Sequence, residues 1–394
     1  MALIYLDHNA ATPLDPRVLE AMLPYLKGKW GNASSRDHAY GWDASEAVEE
    51  ARLRVAELIG AGHHEIVFTS GATESILIAL HGLFPSFPPA GAPEPARKAG
   101  ILASAVEHEA VLAPCRGLRA RGVPVTVFPV RETGALDLLA FEAAVASARP
   151  ALVCLMAANN ETGVLSPLRE GAAIAHAHGA RFFTDAAQAL GKIPLDARAD
   201  GFDMAAFSAH KLCGPKGAGA LYVRGGREAL ALEPLFSGGG QEGGLRGGTL
   251  NVPAIVGFGE ACRLAGAEMA EETSRLRGLR DRLEAALLAR IPGLRVNGDR
   301  GNRLANTSNL RFPGADARAL IRDMHEVAVS TRSACSSGSG GPSHVLTAMG
   351  LSDEEAFASI RFSLGRTTTE ADVDAAAEKV AASYARLPGR DPAG

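Results

Sequence analysis

What most limits the fold of this chain is a repeated alternation of short apolar runs, each breaking into small polar residues and followed by a helical pattern. The runs are Ile101–Ser104, Val123–Phe128, Ala151–Met156, Arg181–Thr184, Met204–Ser208 and Ala220–Val223. Apolar runs this short, without an in-and-out alternation, suit strands covered on both faces, and the helices between them suit the crossovers of a parallel sheet. The expected class is therefore α/β, a mainly parallel sheet with helices on both sides. Open sheets of this kind bind ligands beyond the carboxyl ends of their strands, so chemistry should collect where each run ends.

The strand ends carry the right residues. Ile101–Ser104 leads to Glu107-His108, Ala151–Met156 to Asn159-Asn160-Glu161-Thr162-Gly163, and Arg181–Thr184 to Asp185-Ala186-Ala187-Gln188. Met204–Ser208 runs into Ala209-His210-Lys211. An earlier run, Ile66–Thr69, breaks into Ser70-Gly71-Ala72-Thr73-Glu74-Ser75 and resumes as an apolar helix through Leu80. That turn has the form of a phosphate cradle, with N–H groups at a helix N-terminus and a hydroxyl on Thr73, although a plain N-cap would use the same residues. Lys211 sits at a strand end rather than on a solvated helix face. Burial lowers a lysine's proton affinity, and a neutral amine beside a hydroxyl and an imidazole can join an aldehyde cofactor such as pyridoxal phosphate. Such a cofactor needs a carboxylate for its ring nitrogen, a neutral donor for its phenolic oxygen and a flat partner for its ring. Asp185, then Asn160 or Gln188, then His108 fill those needs. Each alone has an ordinary reading, Asp185 as a helix cap, His108 as a core histidine and the asparagines as turn residues; the set together points to a cofactor.

The 394 residues leave room for two or three units. Forty basic against forty-four acidic residues, a net charge of −4 with no basic stripe, exclude a nucleic-acid partner. The N-terminus reaches Asp7 with neither a basic start nor a long apolar run, so the expectation is a cytoplasmic protein without a membrane span. The five cysteines, at 115, 154, 213, 262 and 335, are widely spaced with no Cys-x-x-Cys pair, which argues against disulfides and a metal site. Cys154 reads as core. Cys335, in Ser333-Ala334-Cys335-Ser336-Ser337-Gly338-Ser339-Gly340-Gly341, reads as a thiol on an exposed loop. Ala44 to Ile59 has helical spacing with Asp43 and Glu46 set as a capping box, and Phe84 to Ala99, with five prolines, reads as a surface excursion. A glycine cluster from Ser237 to Thr249 closes the sheet-forming part. A long helical pattern follows from about Ala254 to Ile291, then Asn306–Phe312, Val327–Thr331 and Ser359–Phe362 with helices between, the pattern of a smaller α+β unit. The division expected is 15–255 for the large unit, and 1–14 with 256–394 for the small one.

Several stretches in this order resemble the cysteine desulfurases of the NifS/IscS type, within the class V aminotransferase group, over nearly the whole chain. They are Tyr5-Leu6-Asp7 with Ala11-Thr12-Pro13, Phe68 to Ser75, Glu107-His108, Asn159-Asn160-Glu161, Asp185 to Gln188, Ser208 to Lys211, Gly214-Pro215-Lys216-Gly217, Gly248-Thr249, Ser333-Ala334-Cys335 and Ile360 to Arg366. The resemblance implies a pyridoxal-phosphate enzyme of fold-type I with a seven-stranded sheet in its large domain. It implies a homodimer that converts L-cysteine to L-alanine and leaves a persulfide on Cys335. The sulfur would pass to an acceptor protein such as an iron–sulfur scaffold. Lys211 would bind the cofactor covalently, His108 stack on its ring, Asp185 pair with the ring nitrogen, and Asn160 and Gln188 flank the phenolic oxygen. Thr73, Ser208 and His210 would hold the phosphate, with Thr249 reaching in from the second subunit, and Ala72 would also contact the cofactor. Arg361 would grip the substrate carboxylate, and Asn9 and Asn32 would line that pocket. Departures are Arg332 where a small residue usually precedes Ser-Ala-Cys, Cys213 where an aromatic or histidine is common, and the Pro-rich excursion. Two other readings stay open at this point. A selenocysteine lyase or class V aminotransferase would keep the cofactor site without needing the Cys335 thiol, and a non-catalytic component of a sulfur-transfer assembly would bind cofactor for stability alone.

Overall fold

The structure, a computed structural model, describes residues 3–84, 100–331 and 341–387. Arg332, Cys335 and all of the Pro-rich excursion after Phe84 lie outside the described residues. The strands, in chain order, are β1 (Ile4–Tyr5), β2 (Ile66–Thr69), β3 (Ile101–Ser104), β4 (Val125–Phe128), β5 (Leu152–Cys154), β6 (Arg181–Asp185), β7 (Met204–Ser208), β8 (Gly219–Val223), β9 (Arg295–Asn297), β10 (Thr307–Arg311), β11 (Val327–Ala328) and β12 (Ser359–Ser363). Seven of them form one sheet in the order β2-β8-β7-β6-β5-β3-β4. Neighbours from β7 to β4 pair in parallel, while β8 is antiparallel to both β7 and β2. The expected parallel sheet is present, with the run at 220–223 reversed within it.

Apart from the edge strand β4, where Thr126 and Val127 are exposed, both faces of the sheet are buried, as the unbroken apolar runs require. Successive residues of β7 serve opposite cores: Ala205 and Phe207 join Phe68, Val153 and Phe182 on one side. Met204 and Ala206 join Val67, Cys154 and Phe183 on the other. At the start of β8, a Cβ built on Gly219 would lie 2.4 Å from Gly71 Cα and 2.5 Å from the Phe207 carbonyl. Only glycine lets β8 come this close, and the approach sets the turn after β2 beside the end of β7.

The second core gathers around the antiparallel order β12-β10-β9 and the parallel pair β1-β11. The helix Val252–Arg290 serves both cores. Asn251 caps it through a hydrogen bond from the Ala254 N–H, and Pro253 sits in its first turn. Its early residues Ile255, Phe258, Cys262 and Ala265 pack in the first core. Its later residues Leu276, Leu279, Leu283 and Leu287 pack in the second.

The helix expected from Ala44 in fact begins at Ala39 and ends at Leu58. His38 caps it by accepting the Gly41 N–H, so Asp43 and Glu46 form no capping box; Asp43 instead faces Lys29 at 3.4 Å. Among the described residues, no helix is long and apolar enough to cross a membrane.

Candidate active site

Because five of the strands that precede functional segments point the same way, their ends open on one cavity of about 440 Å³. Ser70 to Glu74 from the turn after β2, His108 after β3, Asn160 after β5, Asp185 at the end of β6, Ser208 at the end of β7, and His210 and Lys211 after it all line it. Arg361 of β12 and Asn9, carried in by the segment after β1, complete the wall. Of the residues singled out from the sequence, Ala72, Thr73, His108, Asn160, Asp185, Gln188, Ser208, His210, Lys211, Arg361 and Asn9 therefore meet. Asn32 and Thr249 do not line this cavity within one chain, and both are exposed. Asn32 accepts a hydrogen bond from the Ser34 N–H, as in a local turn.

At one end of the cavity, the helix Ala72–Leu83 starts at Gly71 with no side-chain cap, so its first N–H groups are available to a ligand. Ser208 Oγ and His210 Nδ1 lie 2.9 Å apart beside it. Burial and the nearby Lys211, Lys216 and Lys192 charges lower the His210 pKa to about 4, so the ring is neutral at pH 7. Lys216 also lines the cavity.

In the middle, Lys211 Nζ donates to the carbonyls of Asn9 at 2.5 Å and Ala10 at 2.8 Å. His108 has two duties: Nδ1 accepts the Ala110 N–H at 3.1 Å, capping the helix Glu109–Ala120, while its ring faces the cavity. An Nδ1 that accepts carries no proton, so neutral His108 has its hydrogen on Nε2. Asp185 Oδ1 accepts the Ala187 N–H at 3.0 Å, and burial raises its pKa against the pull of His108 and Lys211.

At the far end, Arg361 is buried. It donates to the Asn160 carbonyl at 3.0 Å and to Asp7 Oδ1 at 2.6 Å, and its Nε has no partner among the described residues. Ser330, which stands just before the segment carrying Cys335, donates to the other oxygen of Asp7 at 2.9 Å. The side chain of Asn9 is fully engaged. Its Nδ2 donates to the Asn160 carbonyl and Thr307 Oγ1, and its Oδ1 accepts from Asn306 and Lys192. No donor or acceptor remains for a ligand, so Asn9 shapes the wall rather than touching what binds there.

Sequence reasoning passed over Asp7 as the partner of Arg361, and also Lys192 and Lys216. Residues 187–192 form a run of turns rather than a helix, with Gly191 at φ 71° between Gln188 and Lys192, so no helical spacing signalled Lys192. It passed over Glu107 as a titrating group too. Glu107 is fully buried, with Oε1 accepting the Met156 N–H and Oε2 without a partner among the described residues. Burial lifts its pKa to about 8, with the Asp185 charge adding to the rise. The native chain thus holds a proton here that the unfolded chain releases above about pH 4.5, so this group lowers stability as pH rises from about 4.5 to 8. Glu107→Gln should stay folded and flatten that part of the stability profile. Denaturant melts across the range check it, and an unchanged slope would assign the proton elsewhere.

Comparison with known proteins accords with this arrangement. The Aminotransferase class-V family matches residues 4–376. The mitochondrial cysteine desulfurase of Arthroderma benhamiae is 47% identical over 373 residues, 94% of this chain and 72% of that protein. The cysteine desulfurase IscS of Rickettsia felis is 44% identical over 384 residues, 98% of this chain and 92% of its own. A solved structure described as a NifS-like protein matches with a TM-score of 0.88 at 35% identity, covering 98% of this chain and 100% of the other. With strand ends, cavity and relatives in agreement, the chain belongs to the class-V aminotransferases, and within them to the cysteine desulfurases.

Proposed function

We propose that this enzyme is a pyridoxal-phosphate-dependent cysteine desulfurase that converts L-cysteine to L-alanine and leaves the sulfur as a persulfide on Cys335. The observation that carries the reading is the convergence of Lys211, Asp185, His108 and an uncapped helix N-terminus on one cavity.

The residues fit the cofactor. Asp185 is a buried carboxylate with one backbone donor, and a protonated ring nitrogen would offset the burial that now raises its pKa. The helix N-terminus with Thr73, Ser208 and neutral His210 offers donors for a phosphate. His108 offers a ring face, and Gln188 and Asn160 offer amide donors. Pyridoxal phosphate, when bound, supplies an aldehyde that joins an amino group and a ring that takes up the electron pair left at Cα. Lys211 Nζ holds the cofactor, then takes and returns the Cα proton. Arg361 exchanges Asp7 for the substrate carboxylate, a bidentate partner. The Cys335 thiolate attacks the substrate sulfur; the S–S bond forms as the C–S bond breaks, its electron pair stays on carbon, and a proton completes alanine. The four described cysteines are buried, and burial raises their pKa values, so they are held as thiols. This favours Cys335 as the nucleophile. Incubation with cysteine and a thiol reductant should give alanine and sulfide in equal amounts; alanine without sulfide, or neither, would reject the reading.

The persulfide sulfur passes to an acceptor protein, such as one that builds iron–sulfur clusters. We take residues 15–255 as the cofactor unit and 1–14 with 256–394 as the unit carrying Cys335; two separate cores support two units, although residues 258–265 of the shared helix pack in the first core.

The working form we propose is a homodimer in which Thr249 of each copy completes the phosphate site of the other. Its exposure here supports this, as do the exposed Trp30, Trp42 and Phe236. Thr249→Val should weaken cofactor retention about tenfold or more, the worth of one hydrogen bond to a charged group. Cofactor absorbance after gel filtration reads the effect, and full retention by the variant would remove Thr249 from the site.

A further inference from the structure

Lys192 is a half-buried lysine that the proposed chemistry does not use. It does not line the large cavity. It faces a void of about 60 Å³ that also touches His8, Lys211, Cys213, Glu272 and Arg366. Its Nζ donates to Gln188 Oε1 at 2.6 Å and approaches Asn9 Oδ1 at 3.4 Å. No carboxylate forms a salt bridge with it among the described residues. Withdrawing a cation even partly from water without an ionic partner carries a cost, so the amine's contacts with Gln188 and Asn9 call for an explanation.

The geometry around Gln188 says what the cation does. An ammonium can only donate, so Lys192 must meet the carboxamide oxygen. On its other end, Gln188 Nε2 donates to the Asn9 carbonyl at 2.8 Å, and a carbonyl can only accept. Both contacts demand one orientation of the amide, which leaves the second Nε2 hydrogen for a group in the cavity. A charge on the oxygen side also polarises the amide and strengthens that N–H as a donor.

We propose that Lys192 is a positioning residue for the cofactor: it holds Gln188 by its oxygen, presents the N–H to the cofactor's ring oxygen, and favours that oxygen as an anion. This rests on the reading of the large cavity as a pyridoxal-phosphate site. The charges facing Lys192 come from several elements. Lys211 and Arg361 oppose its charge, Cys213 and Glu272 favour it, and with burial as the largest influence its pKa falls to about 7. In return it pushes His8 and His210 towards their neutral forms.

The test loads Lys192→Met, Lys192→Gln and Lys192→Arg with pyridoxal phosphate and titrates the visible absorption of the bound cofactor with pH. Removing a positive charge lets the bound cofactor keep its proton to higher pH. The midpoint in the Met and Gln variants should therefore rise, by up to about one to two pH units for a full unit charge a few Å away at an effective dielectric of about 20, and by less for a midpoint above pH 7, where Lys192 itself loses its proton. Arginine keeps charge and donors, so its variant should stay close to the unaltered enzyme. Cofactor-loaded Met and Gln variants that titrate with the unaltered enzyme would overturn the proposal. If neither folds, Gln188→Leu removes the amide through which Lys192 acts and must shift the midpoint in the same direction; an unshifted midpoint there overturns it equally. An unaltered enzyme that takes up no pyridoxal phosphate would instead sink the cofactor reading, a separate and visible failure.

Discussion

Lys211→Ala is expected to abolish turnover, with alanine release falling on the order of 10⁴-fold or more because both the covalent attachment point and the group that moves the Cα proton are lost. The fold should survive. Lys211 contributes hydrogen bonds to the Asn9 and Ala10 carbonyls at the cavity wall rather than core packing. Losing them should cost about 1–3 kcal/mol, as for partners left unsatisfied. The purified variant should show a cooperative melt and no covalent cofactor adduct after reduction with borohydride. Near-normal alanine release from a folded variant would mean that another amine, with Lys216 at the cavity wall the first suspect, carries the reaction.

Cys335→Ser is expected to bind cysteine but transfer no sulfur, since a hydroxyl is a poor nucleophile towards sulfur and is not ionised near neutral pH. The cofactor spectrum should respond to cysteine while sulfide production stays at background. In the unaltered enzyme, brief exposure to cysteine should add one sulfur to the peptide containing Cys335, readable by mass spectrometry before reduction. The alternative sites are poor ones, because Cys115, Cys154, Cys213 and Cys262 are all buried. Sulfur on any of them, or full desulfuration by the serine variant, would leave the lyase or aminotransferase reading.

Much of this architecture was legible because parallel strands write their position twice, as apolar runs and as the polar residues that end them. Asp185, His108 and Lys211 were found by that rule, and the structure brings them to one cavity. Other features depend on information no local pattern carries. The reversal of β8 could not be read from Ala220–Val223, because an apolar run buried on both faces looks the same in either direction. The start of the helix at Ala39 was hidden by a histidine cap, which the usual serine, threonine and acid signals do not include. Asn9 stands at the cavity as expected, but nothing in the sequence signals that partners from distant segments, Thr307 and Asn306, hold its amide. The Asp7–Arg361 pair joins residues more than three hundred positions apart, so neither flanking sequence signals it.

The helix Val252–Arg290 has a mechanical consequence. One continuous rod of 39 residues is rooted in both hydrophobic cores, with its transfer between them falling after Ala265 and before Leu276. Melting either core strips apolar cover from half of the same rod, so the two halves are coupled as parts of one cooperative unit rather than as beads on a string. A fragment ending at 255 would lose the packing of Phe258, Cys262 and Ala265, exposing the sheet face they cover. Splitting the gene there would yield two insoluble pieces, whereas a cut beyond the rod's far end leaves the sheet's cover in place.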